Sequence, residues 1–379
     1  MGALVLVGLR SGALDAAERL GLPVAAVVER APGPRAAARL AGHVEASFDA
    51  PAGRWAETAS ALRRFEPAAV VALTERSVVP AAHLRAALGL AGQTVESAHL
   101  CTDKRAMKRA VRAAGVACAD VVEAEDGLDA DAIVARLGLP LVLKTAMGSG
   151  GRGTRIVRQR ENVPDRLPDG WMAESFIDGV EMSVETVVQG GRTLFVNPTR
   201  YVVPQWSSLV PAPLAPADAE AVRQLAEAAR RALGVERGMT HLELFLTPSG
   251  PVFGELAARP PGGHIMPLVR HAYGFDPWET VLRVALGEAP VLPEHAGTSA
   301  AVWILHPGAG TVRVAEGLKA ARALPGVAEA VCRVHEGDAV DVRVGTGEEV
   351  GHVIVTGATA AEAEARVRAA RAAVRVEVA

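Results

Sequence analysis

The chain has 379 residues, half of them apolar, and a formal net charge of −3. That length is too great for one ordinary domain and calls for roughly two to four lobes, each with a core. The charge balance excludes the basic footprint of a nucleic-acid or anionic-membrane binder, and with no run of about 18 apolar residues no membrane span is expected.

The opening MGALVLVGLRSGALDAAERLG is apolar only briefly before Arg10 and Asp15 interrupt it, so it reads as a first strand and helix rather than a signal peptide. Short apolar runs at 3–9, 24–29 and 68–73 alternate with helical segments such as 54–65 and 77–89. This pattern argues for βαβ units around a parallel sheet, a small doubly wound α/β lobe over residues 1–97. Its first turn, Gly8 to Gly12, lacks the full dinucleotide fingerprint.

A second lobe begins near CTDKRAMKRAVRAAGV, with Thr102 as a candidate N-cap, Asp103 suited to the helix start and Gly115 as its stop. A strand at 119–123, a helix at about 128–137 and the strand LVLK follow. From 171 the strands are longer and read as antiparallel, and a helix is expected at about 216–233 between Pro216 and Gly234. Two strands, THLELFL and PVFGELAA, flank TPSG, and helices are expected at about 265–273 and 277–286. Residues 288–299 read as a linker. A last small α+β lobe spans 300–379, with strands near 301–305, 311–315, 340–344 and 352–356 and a helix at about 358–372. Cys101, Cys118 and Cys332 lie far apart with no C-x-x-C pair, which argues against a zinc site or disulfide framework and for a reducing, cytoplasmic compartment.

LVLKTAMGSGGRGTRIV, 141–157, is the densest glycine segment, and GSGGRG matches G-x-G-x-x-G literally. The fingerprint requires a helix after the glycines, and TRIVRQ leans towards strand. A Walker loop carries its lysine after the glycines, whereas Lys144 precedes them. What remains is a hairpin with a lysine at its base. Glycines such as Gly150 and Gly151 let backbone N–H groups approach phosphate oxygens, and Lys144 adds a point charge. The alternative is a plain mobile hairpin with a solvated lysine. Lysine is scarce: Lys104, Lys108, Lys144 and Lys319 are the only four among 40 basic residues.

In THLELFLTPSGPVFGELAAR, a three-residue loop with Gly250 left-handed pairs Phe245 with Phe253, Glu243 with Glu255 and His241 with Ala257. A two-residue turn would instead put the two glutamates on opposite faces. Like charges directly opposite are destabilising unless a cation lies between them. Two carboxylates completed by water and phosphate are what Mg²⁺ uses. The alternative is a surface hairpin with solvated glutamates.

In order and spacing, these motifs together resemble the ATP-grasp superfamily over most of the chain. The resemblance implies an N-terminal α/β lobe (1–97), a split ATP-binding region with a Gly-rich lid (98–173 and 174–290) and a small C-terminal lobe (300–379). It implies that Lys104 and Lys144 reach the ATP phosphates. In the hinge ESFIDGVE it implies that Glu174, the Ser175 carbonyl and the Ile177 amide read the adenine edge and that Glu181 holds the ribose. Glu243 and Glu255 match Mg²⁺ ligands (one or two ions, with Mn²⁺ as an alternative metal), although Ala257 replaces the usual asparagine of E-x-N-x-R. Arg259 matches the arginine that steadies the transferred phosphoryl group, and the amides of Gly262 and Gly263 would polarise the reacting carboxylate. HLELFLTPSGPVFGELAARPPGG resembles the L-amino-acid ligase branch, whose members phosphorylate a carboxylate with ATP and pass the acyl group to an amine. His241 would orient substrate or phosphate, or is a satisfied structural histidine. Arg200 and Trp206, in the proline-rich 197–214, would cover the acceptor, Arg200 as a carboxylate clamp. Small carboxylates and amines, with amino acids foremost, are the expected substrates, and a homodimer the expected assembly. The alternatives are a bicarbonate-using carboxylase of the purine-pathway type, which shares Gly263-His264 but carries His-Asn before it, and a nucleotide binder without chemistry or a dinucleotide oxidoreductase.

Overall fold

The computed structural model describes residues 2–379 apart from Ser149, Arg152 and Thr346. Strands β1 (Leu4–Val7), β2 (Val24–Val28), β3 (Gly42–Glu45) and β4 (Ala69–Ala72) form a parallel sheet in the order β3-β2-β1-β4. Helices α1 (Ser11–Arg19), α2 (Pro34–Ala37), α3 (Arg54–Leu62), α4 (Val78–Leu88) and α5 (Val95–Leu100) surround it. The apolar runs are continuous because both faces are covered. Leu4, Leu6 and Val71 pack against α1 and against two much later helices, at Ile265–Tyr273 and Pro277–Ala285. Val5, Val7 and Val70 pack against α3 and α4. Gly12 permits the close approach of α1 to the later helix, since a Cβ there would lie 2.3 Å from Trp278 Nε1. Strand β3 escaped the sequence reading because GHVE is short and only partly buried.

The second unit holds α6 (Lys104–Ala113), α7 (Ala130–Leu137) and an antiparallel sheet β5-β8-β6-β7, made by Val121–Glu123, Trp171–Ser175, Leu141–Thr145 and Arg155–Val157 respectively. Asp103, not Thr102, caps α6: its carboxylate accepts from Arg105 N at 2.9 Å, while the Thr102 hydroxyl donates to Ala98 O at 3.0 Å. The glycine segment joins β6 to β7, so a strand stands where a dinucleotide fingerprint needs a helix.

An eight-stranded antiparallel sheet follows, ordered β13-β12-β9-β10-β11-β14-β18-β16. Its first five members are β9 (Val180–Gln189), β10 (Arg192–Val203), β11 (Ser207–Val210), β12 (Gly238–Thr247) and β13 (Gly250–Ala257). Helix α8 (Pro216–Ala232) buries Val222, Leu225 and Ala229 against it, and α9 (Ile265–Tyr273) and α10 (Pro277–Ala285) come after β13. The segment from Ser299 continues this sheet, because β14 (Ser299–Leu305) hydrogen-bonds to β11, and β18 (Gly351–Gly357) and β16 (Val327–Cys332) extend it. Strands β15 (Gly310–Glu316), β17 (Ala339–Val340) and β19 (Arg375–Val378) form a small second sheet beside α11 (Leu318–Arg322) and α12 (Ala360–Ala373). The strand expected at 340–344 stops at Val340, and the described residues of 341–350 are irregular, with Val342 and Val344 exposed.

The β12–β13 hairpin departs from the expected register in an instructive way. Thr247 pairs with Gly250, so the loop is only Pro248 and Ser249, and Leu244, not Phe245, faces Phe253. A bulge at Gly254 then inserts one residue and restores Glu243 opposite Glu255 and His241 opposite Ala257. Phe253 consequently turns into the core with Leu242, Leu244 and Leu256. Glycine is required at the bulge because a Cβ at 254 would meet Glu243 O at 2.8 Å. Gly254→Ala is therefore expected to lower the urea unfolding midpoint by the equivalent of about 1–3 kcal/mol. An unchanged midpoint would mean that the bulge relaxes freely.

Candidate active site

A cavity of about 910 Å³ is lined from the N-terminal lobe by Arg10 and Glu75, from the β6–β7 loop by Gly148, Gly150 and Gly151, and from the β8–β9 connection by Ser175, Phe176 and Ile177. The bulged hairpin, the turn after it and the 341–350 segment complete its walls. Of the residues singled out from the sequence, Lys104, Lys144, Glu174, Glu181, Trp206, His241, Glu243, Glu255, Arg259, Gly262 and Gly263 also reach it. Arg200 does not: its guanidinium pairs with Glu364 of α12. The reason is strand alternation on β10, which sends Tyr201 to the cavity and its neighbour Arg200 to the other face. The carboxylate clamp assigned to Arg200 is thereby corrected.

Lys104 opens α6, donates from Nζ to Gly148 O at 2.6 Å and stands 3.5 Å from Glu255 Oε2. Lys144 lies 2.8 Å from Glu174 Oε1. Lys108 had no role assigned from the sequence. One turn beyond Lys104 on the same helix face, it is buried, 3.4 Å from Glu174 Oε1 and 3.3 Å from the Phe253 carbonyl it donates to. Three of the four lysines thus meet in one cavity. The signal was present: lysine is scarce, and 104 and 108 are spaced i,i+4. Burial pushes the Lys108 pKa down against the pull of Glu174. Burial alone would raise the Glu174 pKa, but Lys108 and Lys144 outweigh it and keep the carboxylate ionised. Glu174 therefore neutralises two lysines through Oε1. The segment 176–179 lies outside both flanking strands.

On the opposite wall, burial and then Glu243 raise the Glu181 pKa to about 7. Glu243 and Glu255 face each other with side chains 39% and 24% exposed. Among the described residues no group of three or more His, Cys, Asp or Glu side chains is arranged to hold a metal by itself. Two carboxylates suit Mg²⁺ nonetheless, because that ion keeps waters and takes phosphate oxygens as well. The Lys104 ammonium beside Glu255 shows that positive charge is accommodated there.

His241 is fixed between two carboxylates, with Nδ1 2.9 Å from Glu185 Oε1 and Nε2 3.5 Å from Glu243 Oε1. Glu185 is fully buried and accepts from Ser183 Oγ at 2.8 Å, Asn197 Nδ2 at 2.8 Å and Thr199 Oγ1 at 2.6 Å. Burial would depress the His241 pKa, but the hydrogen bonds to Glu185 and Glu243 raise it to about 9. The imidazole is thus a fixed cation at neutral pH, and it opposes Ala257, which supplies no oxygen. Tyr201 Oη donates to Glu243 Oε1 at 3.3 Å.

At the far end Arg259 Nε lies 2.9 Å from Glu75 Oε2. Burial raises the Glu75 pKa against the pull of Arg259. Arg10 donates to Pro260 O at 3.2 Å and Pro261 O at 2.8 Å, holding the turn that carries Gly262 and Gly263. The Trp206 ring carries Arg343 at 4.7 Å from its centroid. Gly151 comes close to Gln205 from the loop, where an added Cβ would stand 3.3 Å from Nε2. Of the expected lid at 147–153, Ser149 and Arg152 lie outside the described residues. No helix among the described residues is long and apolar enough to cross a membrane.

Residues 109–266 match the ATP-grasp domain model and residues 302–379 the model of the L-amino acid ligase C-terminal domain 2. The chain is 27% identical over 293 residues to the L-arginine-specific L-amino acid ligase of Bacillus subtilis, covering 72% of this chain and 71% of that protein. It is 30% identical over 396 residues to a formate-dependent phosphoribosylglycinamide formyltransferase of Burkholderia vietnamiensis, covering 95% of this chain and 91% of that one. The L-amino acid ligase structure from Bacillus licheniformis shares the fold with a TM-score of 0.83 at 21% identity, over 100% of this chain and 99% of the other. The chain belongs to the ATP-grasp superfamily, whose enzymes use ATP and Mg²⁺. It carries the L-amino acid ligase C-terminal domain.

A titration follows from the His241 environment. Its protonation stabilises the fold fully below the unfolded value near 6.5, a contribution lost as pH rises through about 9. In NMR titration the His241 ring should remain protonated past pH 8, and Glu185→Gln should bring its midpoint down. A wild-type midpoint near the unperturbed value would refute the fixed-cation assignment.

Proposed function

We propose that the chain is an ATP-dependent carboxylate–amine ligase that joins an amino acid or similar acid to an amine and releases ADP and phosphate. The observation that carries this reading is the substrate end of the cavity: Arg343, Gly347 and Glu349 line it, and all three fall inside the stretch matched by the L-amino acid ligase C-terminal domain. Lys104, Lys108 and Lys144 hold the phosphates together with the glycine amides, with Glu174 positioning two of the lysines. The 176–179 backbone and Glu181 face the nucleoside. Glu243 and Glu255 hold the metal, and His241 supplies a fixed positive charge beside Glu243. ATP with Mg²⁺ supplies the phosphoryl group that turns the unreactive carboxylate into an acyl phosphate. Arg259 steadies the anionic centre, and the amides after Pro261 polarise the carbonyl under attack. Most of the catalysis is then positioning and electrostatics.

Formyl transfer, the reaction in the name of the 30% identical relative, is a second reading supported by similarity over nearly the whole chain. It differs in the acid activated, not in the logic of activation. Incubation with ATP, Mg²⁺ and pooled L-amino acids, followed by mass spectrometry, should yield dipeptides and ADP. ADP that appears only with formate and phosphoribosylglycinamide, or only with bicarbonate and a ribonucleotide, would replace the ligase reading.

Lys144→Ala and Glu255→Ala should each lower ATP turnover by about 100-fold or more, in the range for loss of a charge aimed at the transition state. Turnover that survives in both would remove the site assignment. Lys108→Met should weaken ATP binding in calorimetry without changing the melting temperature by more than a few degrees. Full affinity in that variant would make Lys108 a purely structural partner of Glu174.

A further inference from the structure

His264 follows Gly262 and Gly263 directly and sits at φ 60°, ψ 18°. A non-glycine residue in this left-handed region stores about 1–3 kcal/mol and persists only where its surroundings enforce it. Here the turn places His264 on the cavity wall next to the glycine amides. Its Nε2 lies 3.0 Å from Glu349 Oε1. A carboxylate only accepts, so Nε2 is the nitrogen that donates to Glu349 and Nδ1 is the ring nitrogen left to exchange a proton with a substrate. Nδ1 has no hydrogen-bond partner among the described residues. Glu349 is itself held: its side chain is 8% exposed, its other oxygen accepts from Gly347 N at 3.1 Å, and Arg333 donates to its carbonyl at 3.1 Å. The bond to His264 keeps the Glu349 carboxyl down at about 2.

The charged and titratable groups around the imidazole are Glu349 and Arg333 on one side and His352 on the other, its ring centroid 4.0 Å away. His352 Nε2 is in turn 3.3 Å from Glu329, which also meets His271 of α9 at 3.4 Å. The pair His264–Glu349 thus has the form of a base oriented by a buried carboxylate. Other cavity groups have other engagements. Glu75 holds Arg259, Glu174 holds two lysines, and His241 is held between Glu185 and Glu243. Glu181 pairs in register with Phe245, on the hairpin side and away from the glycine turn.

We propose that His264, oriented by Glu349, is the base that takes a proton from the acceptor's ammonium group, so that the acceptor is an amine entering in its charged form. This rests on the ligase reading above. Nδ1 of His264 accepts one proton from R–NH₃⁺. The freed nitrogen lone pair forms the C–N bond at the acyl phosphate carbon, and the C–O bond to phosphate breaks with its electron pair on phosphate. The second nitrogen proton leaves with phosphate as HPO₄²⁻, and His264 returns its proton to water. Glu349 touches no substrate in this scheme and acts as a positioning residue.

The test compares two nucleophiles on the wild type and His264→Asn: pooled L-amino acids, whose amines are protonated at neutral pH, and hydroxylamine, which is not. Dipeptide formation by the variant should fall by about 100-fold at pH 7 and recover as pH rises and free amine accumulates. Hydroxamate formation should change by less than about threefold, with ATP affinity and melting temperature retained. Glu349→Gln should move the acid limb of the kcat/KM profile to lower pH, because the imidazolium loses its carboxylate. Equal losses with both nucleophiles, no loss with amines, or an unmoved acid limb would each overturn the proposal. A wild type that forms neither hydroxamate nor ADP with any acid would instead bring down the ligase reading and this inference with it.

Discussion

The arrangement of the cavity depends on two carboxylates held face to face. Glu243 and Glu255 would be sent to opposite sides of the hairpin by its two-residue turn, and the bulge at Gly254 brings them back together. Opposed carboxylates repel, and this pair persists because cations surround it: Lys104 beside Glu255, His241 beside Glu243. The hairpin is anchored elsewhere by an apolar face, where Leu242, Leu244, Phe253 and Leu256 are buried against α6 and α8. Packing thus holds in place a charge arrangement that electrostatics alone would disperse.

Four basic side chains of the cavity are paired with carboxylates: Lys108 and Lys144 share Glu174, Arg259 has Glu75 and His241 has Glu185. Such pairs keep buried charges in position without a ligand, because removing either partner would leave an uncompensated charge in a low-dielectric site. Under the proposed function, phosphate oxygens and a divalent cation would enter by exchanging partners: phosphate for Glu174 and the metal for the Lys104 ammonium. The groups are already oriented, so little reorganisation opposes the reaction itself.

The sequence made the strongly patterned parts legible. The strands β1, β2 and β4 announced themselves by apolar runs covered on both faces, and α9 and α10 by helical spacing. The two lysines and the two glutamates followed from type and spacing. What stayed hidden has physical causes. The bulge was invisible because a glycine in a strand looks the same whether or not its partner strand skips it. Lys108 lay in plain view, but its place in the cavity exists only once α6 and the hairpin, 145 residues apart, close on each other. Arg200 was misplaced because the face of a strand that meets a cavity is decided by its neighbours, and here Tyr201 took that face. Glu349 and its partner His264 are separated by 85 residues, and no local pattern links them.

The C-terminal segment that carries Glu349 is joined to the main sheet by strand pairing. Because β14 adds to β11 and β18 adds to β14, residues flanking these strands have fixed positions relative to the hairpin four strands away. Trp206, just before β11, is covered by Arg343 from the segment before β18, and Arg343 also donates to Gln205 O at 2.9 Å. A loop on a flexible tether would have to order itself at every encounter with substrate, at an entropic cost for each residue fixed. Continuous strand pairing meets that cost once, during folding. Strand pairing thereby holds the wall of the cavity that Arg343 and Glu349 line, while α6 and the bulged hairpin hold the wall that Lys104, Glu243 and Glu255 line.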